Sequence, residues 1–340
     1  MPSLRLRAAE PDDTPGICAL LGAVFPDNPK RDPDVYAWQY WDNPFGPPSV
    51  WIWEDDGRPV AHGGVFATPG QVAGAPALLG HAADSATASA YRGRQLFAEL
   101  AAARYRRAGE LGMPATLSLP NPNSLPGTVK AGLVPIERVV AWVRPLDDAW
   151  LAGRARLPRA LVTGLRRAGF KALPGSAAEV LDAPPAGLGE LWSRVAPGFG
   201  SGVARSPQWW QWRYARNPTR RYGYVAVRRG GRLAAAAVVG DVARGADAYR
   251  YVFELLAEDA GAARAALGAA CALQTAAVAV ALIALPGSPQ AHHAAAGGFR
   301  RLPRRWEPQP MTFGVIPHTD AARDPARLRW QASWGDHDHV

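Results

Sequence analysis

The pattern of apolar and polar positions predicts strands and helices in two successive sets. Residues 4–8 read as a strand and 14–24 as a helix. Two apolar runs, 50–54 and 59–67, flank Asp55-Asp56-Gly57, which has the turn chemistry of a hairpin. Aromatic residues at Tyr36, Trp38, Tyr40 and Trp41 predict a short helical or irregular segment packed on the sheet. Further along come a strand over 77–87, a helix from Gly93 to about 109, and a strand at 115–119. A loop with a short helix and a last strand over 139–144 complete the set. The order recurs from Val180: a helix to about 195, a hairpin at 222–227 and 233–239, a strand over 248–256, a helix over 261–274 and a strand over 277–285. The apolar stretch 262–285 carries Arg264, Gln274 and Thr275 and ends at Leu285-Pro286-Gly287, so it reads as a buried helix and strand rather than a membrane span.

A repeat underlies this recurrence. Tyr36-Ala-Trp38-Gln-Tyr40-Trp-Asp-Asn43-Pro44 matches Trp210-Gln-Trp212-Arg-Tyr214-Ala-Arg-Asn217-Pro218 at an offset of 212 − 38 = 174. The same offset pairs Gly57-Arg58 with Gly231-Arg232, Phe25 with Phe199 and Pro11 with Pro185. Gly132-Leu133 pairs with Gly298-Phe299 at 298 − 132 = 166, so the second copy is shorter by about eight residues. The expected division is a first α/β domain over 1–145, a connector over 146–175, a second, degenerate domain over 176–316 and a tail over 317–340.

Composition adds bounds. A chain of 340 residues with 48% apolar and 20% charged residues is long enough for two globular domains. Cys18 and Cys271 form neither a disulfide framework nor a metal cluster, and 1–5 have no signal-like apolar core, so a cytoplasmic home is expected. The net charge of +9 comes almost wholly from arginine, the lysines being Lys30, Lys130 and Lys171; it suits an anionic ligand without a nucleic-acid motif. His292-His293 lies before the last helix turn of the second set. Gly335-Asp-His337-Asp-His339 resembles a metal-binding composition but is expected to be a flexible tail, or, through Trp330 and Trp334, one that docks across the domains, and no metal is expected.

The segment Asp84-Ser-Ala-Thr87-Ala-Ser-Ala-Tyr91-Arg92-Gly93-Arg94-Gln95-Leu96-Phe97 carries the chemistry. A strand ends, a loop turns, and a helix begins with Arg-Gly-Arg. The unpaired amides and dipole of a helix start hold a pyrophosphate, glycine allows close approach, and arginines add charge-assisted contacts. This junction resembles the signature loop of the GNAT superfamily of acyl-CoA-dependent acyltransferases, whose core is Arg/Gln-x-x-Gly-x-Gly/Ala. The strand order, the turn Asn121-Pro-Asn123-Ser124 and Lys130-Ala-Gly132-Leu133 are also similar to that family. Gln95 and Phe97 stand where the family has glycine and a small residue, and Glu258-Asp259-Ala260-Gly261 of the second copy puts acid where phosphate would lie. Only the first copy is therefore expected to bind CoA.

The resemblance implies two tandem GNAT-like α/β domains, each a mixed, mostly antiparallel sheet flanked by helices. It implies transfer of an acetyl or other acyl group from acyl-CoA to a small-molecule amine, by direct attack. Amides of Ser85, Ala86 and Thr87 would bind the pantetheine and thioester, and 92–97 (Arg92, Gly93, Arg94, Gln95, Leu96, Phe97) the pyrophosphate. Asp84 or His81 is the candidate base; being three apart on a strand, they are expected to face opposite sides. No tyrosine lies in 121–133 to act as acid, so Ser124, or a water held by Asn121 or Asn123, would serve. The alternatives are an inactive acyl-CoA sensor or scaffold, or the same fold using an acyl carrier protein or aminoacyl-tRNA. No nucleic-acid or membrane partner is expected.

Overall fold

The computed structural model describes residues 4–27, 29–169, 178–307 and 310–337. After β1 (Arg5–Ala8), the Asp13 amide donates to the Glu10 carbonyl and the Asp13 carboxylate accepts from the Glu10 amide. This pair of bonds starts the chain into α1 (Thr14–Val24). The aromatic segment forms α2 (Pro33–Tyr40), started by the Asp32 carboxylate on the Asp34 amide. Strands β2 (Ser49–Asp55) and β3 (Arg58–Val72) meet at Asp56-Gly57, both at positive φ, the backbone a tight hairpin turn needs. β4 (Ala75–Thr87), α3 (Leu96–Glu110), β5 (Ala115–Ser118), α4 (Leu125–Lys130), β6 (Val134–Arg138) and β7 (Val140–Pro145) follow.

Helices α5 (Asp148–Ala155) and α6 (Arg159–Gly169) lead to the second set. It contains β8 (Ala178–Leu181), α7 (Leu188–Phe199), β9 (Gly202–Val203), α8 (Pro207–Trp210), β10 (Gly223–Arg229), β11 (Arg232–Arg244) and β12 (Asp247–Ala257). Then come α9 (Ala260–Ala272), β13 (Ala279–Ala284), α10 (Pro289–Ala296), β14 (Arg300–Arg301) and β15 (Thr312–Pro317).

The strands build two mixed sheets of one plan. The first runs β1-β2-β3-β4-β5-β15-β6, with β9 added on β3; the second runs β8-β10-β11-β12-β13-β7-β14. In each, four antiparallel strands lead to one parallel pair, β4 with β5 and β12 with β13. The strand expected to close the first set, at 139–144, does not join that sheet. As β7 it pairs with β13, Ala141 opposite Ile283, while β15 from near the end of the chain pairs with β5 and β6. Periodicity reports that a strand exists, not which sheet supplies its partner, so this exchange leaves no trace in the apolar pattern.

One apolar core spans both sheets, from Ile17, Tyr36 and Phe66 to Trp209, Trp212 and Tyr224. The repeat mates Trp38 and Trp212 stack on each other, centroids 4.9 Å apart. The tail is docked rather than loose up to His337: Trp334 lies flat on Tyr251 at 4.8 Å, and Ser333, Gly335 and Asp336 are buried. His339 and Lys171 fall outside the described residues. Among the described residues, no helix is long and apolar enough to cross a membrane, and no group of three or more His, Cys, Asp or Glu is placed to hold a metal.

Candidate active site

Strands β4 and β5 are joined only at Gly80–Thr116 and His81–Leu117. Beyond that point they splay, leaving the β5 side of 84–87 without a strand partner among the described residues. A cavity of about 190 Å³ opens there, lined by His81, Asp84, Ser85, Arg104, Asn121 and Ser124 among others.

A bulge shapes this edge. Gly64 opposes Ala83 and His62 opposes Ala86, so two residues of β4, Asp84 and Ser85, face one of β3. Asp84 takes a left-handed φ of +53°, uncommon for a residue with a side chain and a mark of local strain. The consequence corrects the expected alternation. His81 stacks on Phe66 at 4.9 Å, and Asp84 reaches Tyr40, itself against Phe66, so both side chains lie on the α2 face of the sheet. Ser85 turns to the opposite face, where its hydroxyl accepts from Arg104 Nη1 at 2.8 Å.

The Asp84 carboxylate is fully buried. Its Oδ2 accepts from Lys30 Nζ at 2.7 Å and Tyr40 Oη at 2.8 Å. His62 locks the bulge: Nδ1 donates to the Asp84 carbonyl at 2.7 Å and Nε2 accepts from Tyr36 Oη at 2.9 Å. That pattern requires a neutral ring. Burial depresses its pKa to about 4, only partly countered by the Asp84 carbonyl. Burial also raises the Tyr36 phenol well above its ordinary value. Lys30, Tyr40, His62 and Arg104 were not foreseen. Tyr40 belongs to the repeated aromatic segment and Lys30 is one of three lysines, so both carried a signal that packing alone did not exhaust.

The helix expected from Gly93 begins at Leu96; Gly93 and Arg94 form the turn before it. Gly93 (φ +79°) faces open space, and Gln95 at the cap is also left-handed (φ +60°), with no side-chain cap bond. The Gln95 side chain is exposed. Arg92, reaching the Thr87 carbonyl, and Arg94, over the Tyr91 ring, are exposed beside it. Leu96 is buried beneath, and Phe97 packs on Gly127 of α4 and against the Arg104 guanidinium. Residues 91–97 do not line the cavity; Phe97 and Arg104 connect it to the turn. Ala86 and Thr87 continue β4 against β3. Asn121 Oδ1 accepts from the amides of Asn123 and Ser124, aiming Ser124 at the cavity, whereas Asn123 is exposed and outside it.

The second sheet repeats the arrangement with a different outcome. Val238 opposes Glu254 and Val239 opposes Val252, so β12 bulges at Phe253. Glu254, at 254 − 84 = 170, accepts from Tyr214 Oη at 2.8 Å and pairs with Arg205 at 2.8 Å. Here the tail fills the space: Ser333 donates to Glu254, and Asp336 pairs with Arg205 at 2.6 Å. Asp259 caps α9 on the Ala262 amide and pairs with Arg229, so this helix start holds its own anion.

Comparison with known proteins agrees with this fold. Residues 5–125 match the family model of the acetyltransferase (GNAT) domain, which supports acyl transfer as the general class of chemistry. The whole chain carries the fold of several solved structures. It superposes with a TM-score of 0.66 on a conserved protein from Enterococcus faecalis described as a probable N-acyltransferase, at 10% identity over 94% of this chain and 74% of that one. A GCN5-related N-acetyltransferase from Anabaena variabilis gives 0.64 at 12% identity, over 93% and 73%. Eis1 from Mycobacterium abscessus gives 0.57 at 12%, over 93% and 73%. No curated protein matches significantly in sequence.

Proposed function

We propose that the chain transfers an acyl group from acyl-CoA to the amine of a small molecule, with its working site in the first half. The observation that carries this reading is the splayed β4–β5 edge opening on a cavity that reaches the Asp84 bulge, beside an exposed, arginine-flanked helix start. The pyrophosphate rests on the turn at 92–97, held by its backbone amides and by Arg92 and Arg94. The pantetheine lies in the wedge, and amides of 85–87 stabilise the thioester oxygen as it gains charge. The amine nitrogen attacks the thioester carbon; the C–N bond forms, the C–S bond breaks and CoA leaves as thiolate. His81 takes the amine proton, while Asp84, held by Lys30 and Tyr40, fixes the bulge. Ser124, which lines the cavity, is the candidate donor to the departing sulfur.

The test is thiol release from acetyl-CoA and longer acyl-CoAs across an amine panel, paired with thermal shift, since a ligand of the native state alone raises the melting temperature. Arg92→Ala with Arg94→Ala abolishes the CoA-induced shift. His81→Gln is expected to lower the transfer rate while the CoA-induced shift persists; an unaltered rate takes the base role from His81. The left-handed Gln95 and the bulky Phe97 favour a second reading, an acyl-CoA sensor, which predicts the shift without thiol release on any amine.

A further inference from the structure

The cavity contains a buried cation that the transfer chemistry does not use. Arg104, on α3, is 1% exposed, and its guanidinium lies under the bulge against the cavity. Glycine at 63 makes room for it: a Cβ there would collide with Nη1 and with Leu100. Nη1 donates to Ser85 and Nη2 to Tyr105 Oη at 2.9 Å, using two of five N–H donors, while Nε is buried without a partner. Lys30, Arg205 and Arg250 are each buried against a carboxylate, and Arg213 against the carbonyls of Gly335 and His337. Arg104 has no such carboxylate among the described residues, only the rings of Tyr105 and Phe97 at 4.7 and 5.8 Å. A guanidinium cannot shed its proton, so a buried one without a counter-ion is costly. Its planar fork matches a carboxylate.

We infer that the cavity takes a substrate bearing a carboxylate near its reacting end, and that Arg104 binds that carboxylate. This rests on the acyl-transfer reading. The carboxylate belongs either to the donor, as the free end of a succinyl- or malonyl-type thioester, or to the acceptor, as in an amino acid.

Two arms separate these sources on the full chain. Calorimetric titration compares succinyl-CoA with butyryl-CoA, equal in chain length but without the acid. Transfer assays compare alanine with alaninamide. One arm is expected to favour the acid by about 10- to 100-fold, the range of a hydrogen bond to a charged group. Arg104→Met brings that ratio to about one. Arg104→Lys, which keeps the charge and loses the fork, falls between. Ratios near one in both arms for the unaltered chain overturn the inference while leaving acyl transfer standing; this decides the matter even where Arg104→Met does not fold. If no CoA thioester binds at all, the transfer reading fails and takes this one with it.

Discussion

The two halves of the chain build the same buried triad and put it to opposite ends. In the first, Lys30, Tyr40 and Asp84 meet at a bulge that borders a cavity. In the second, Arg205, Tyr214 and Glu254 meet at the matching bulge, and the tail closes over them with Ser333 and Asp336. A buried carboxylate beside a bulge in the fourth strand is thus common to both sheets, and they differ in what fills the space next to it.

The sharpest way to break this comparison is to neutralise each carboxylate in turn. Arg205→Met leaves the Glu254 and Asp336 carboxylates buried without their cation and is expected to cost about 3–5 kcal/mol in denaturant unfolding, whereas Glu254→Gln, with Asp336 still on Arg205, is expected to cost less. Asp84→Asn, which loosens the bulge held by Lys30 and Tyr40, is expected to lower turnover by about 10²-fold as well, through misplacement of the reacting groups. Equal turnover losses from Asp84→Asn and Glu254→Gln would show that the halves are not functionally distinct. Next in size is Gly335→Val. A side chain at 335 would strike Tyr214 Oη and the Glu254 carboxylate, so the tail must shift, at roughly 1–3 kcal/mol, read as faster proteolysis behind residue 329.

Acid probes the first half. His62 is held neutral, with a native pKa of about 4 against an ordinary 6.5, and burial does the same to His318 on Thr116. Between pH 6.5 and 4 the unfolded chain takes up protons that the native state refuses. Stability is therefore complete above about pH 6.5 and falls on acidification, by at most about 1.4 kcal/mol per pH unit for each histidine. Residue 236, the repeat mate of His62, is alanine, so the second triad lacks this sensitivity. A melting temperature unchanged from pH 7 to 5, or His62→Gln melting with unaltered pH dependence, would contradict it. The smallest effect is expected from Gln95→Gly: relief of the left-handed cap is worth up to about 1 kcal/mol and should tighten CoA binding, checked by paired melting and titration.

Much of this was legible in the chain. The constant offset of 174 and the strand–turn–helix at 84–97 reflect local spacing and residue chemistry, which a sequence displays directly. The bulge does not show, because a left-handed aspartate leaves no periodic mark; Asp84 and His81 therefore share a face that alternation denied them. Lys30 and Arg104 were missed because their roles depend on contacts across 54 and 19 residues. The docking of the tail shows in sequence only through Trp330 and Trp334, because its polar, histidine-bearing end reads as solvated until Glu254 and Arg205 are placed beneath it.

The exchange of β7 and β15 has a consequence for how the molecule comes into being. As the chain leaves the ribosome, the first sheet has β1 to β6 at hand but lacks the strand between β5 and β6, which arrives some 170 residues later as 312–317. The amino-terminal half must wait, with an unfinished edge open to wrong partners, until nearly the whole polypeptide has been made. Neither half can then be cut free as a self-sufficient piece, and the two are expected to melt as one.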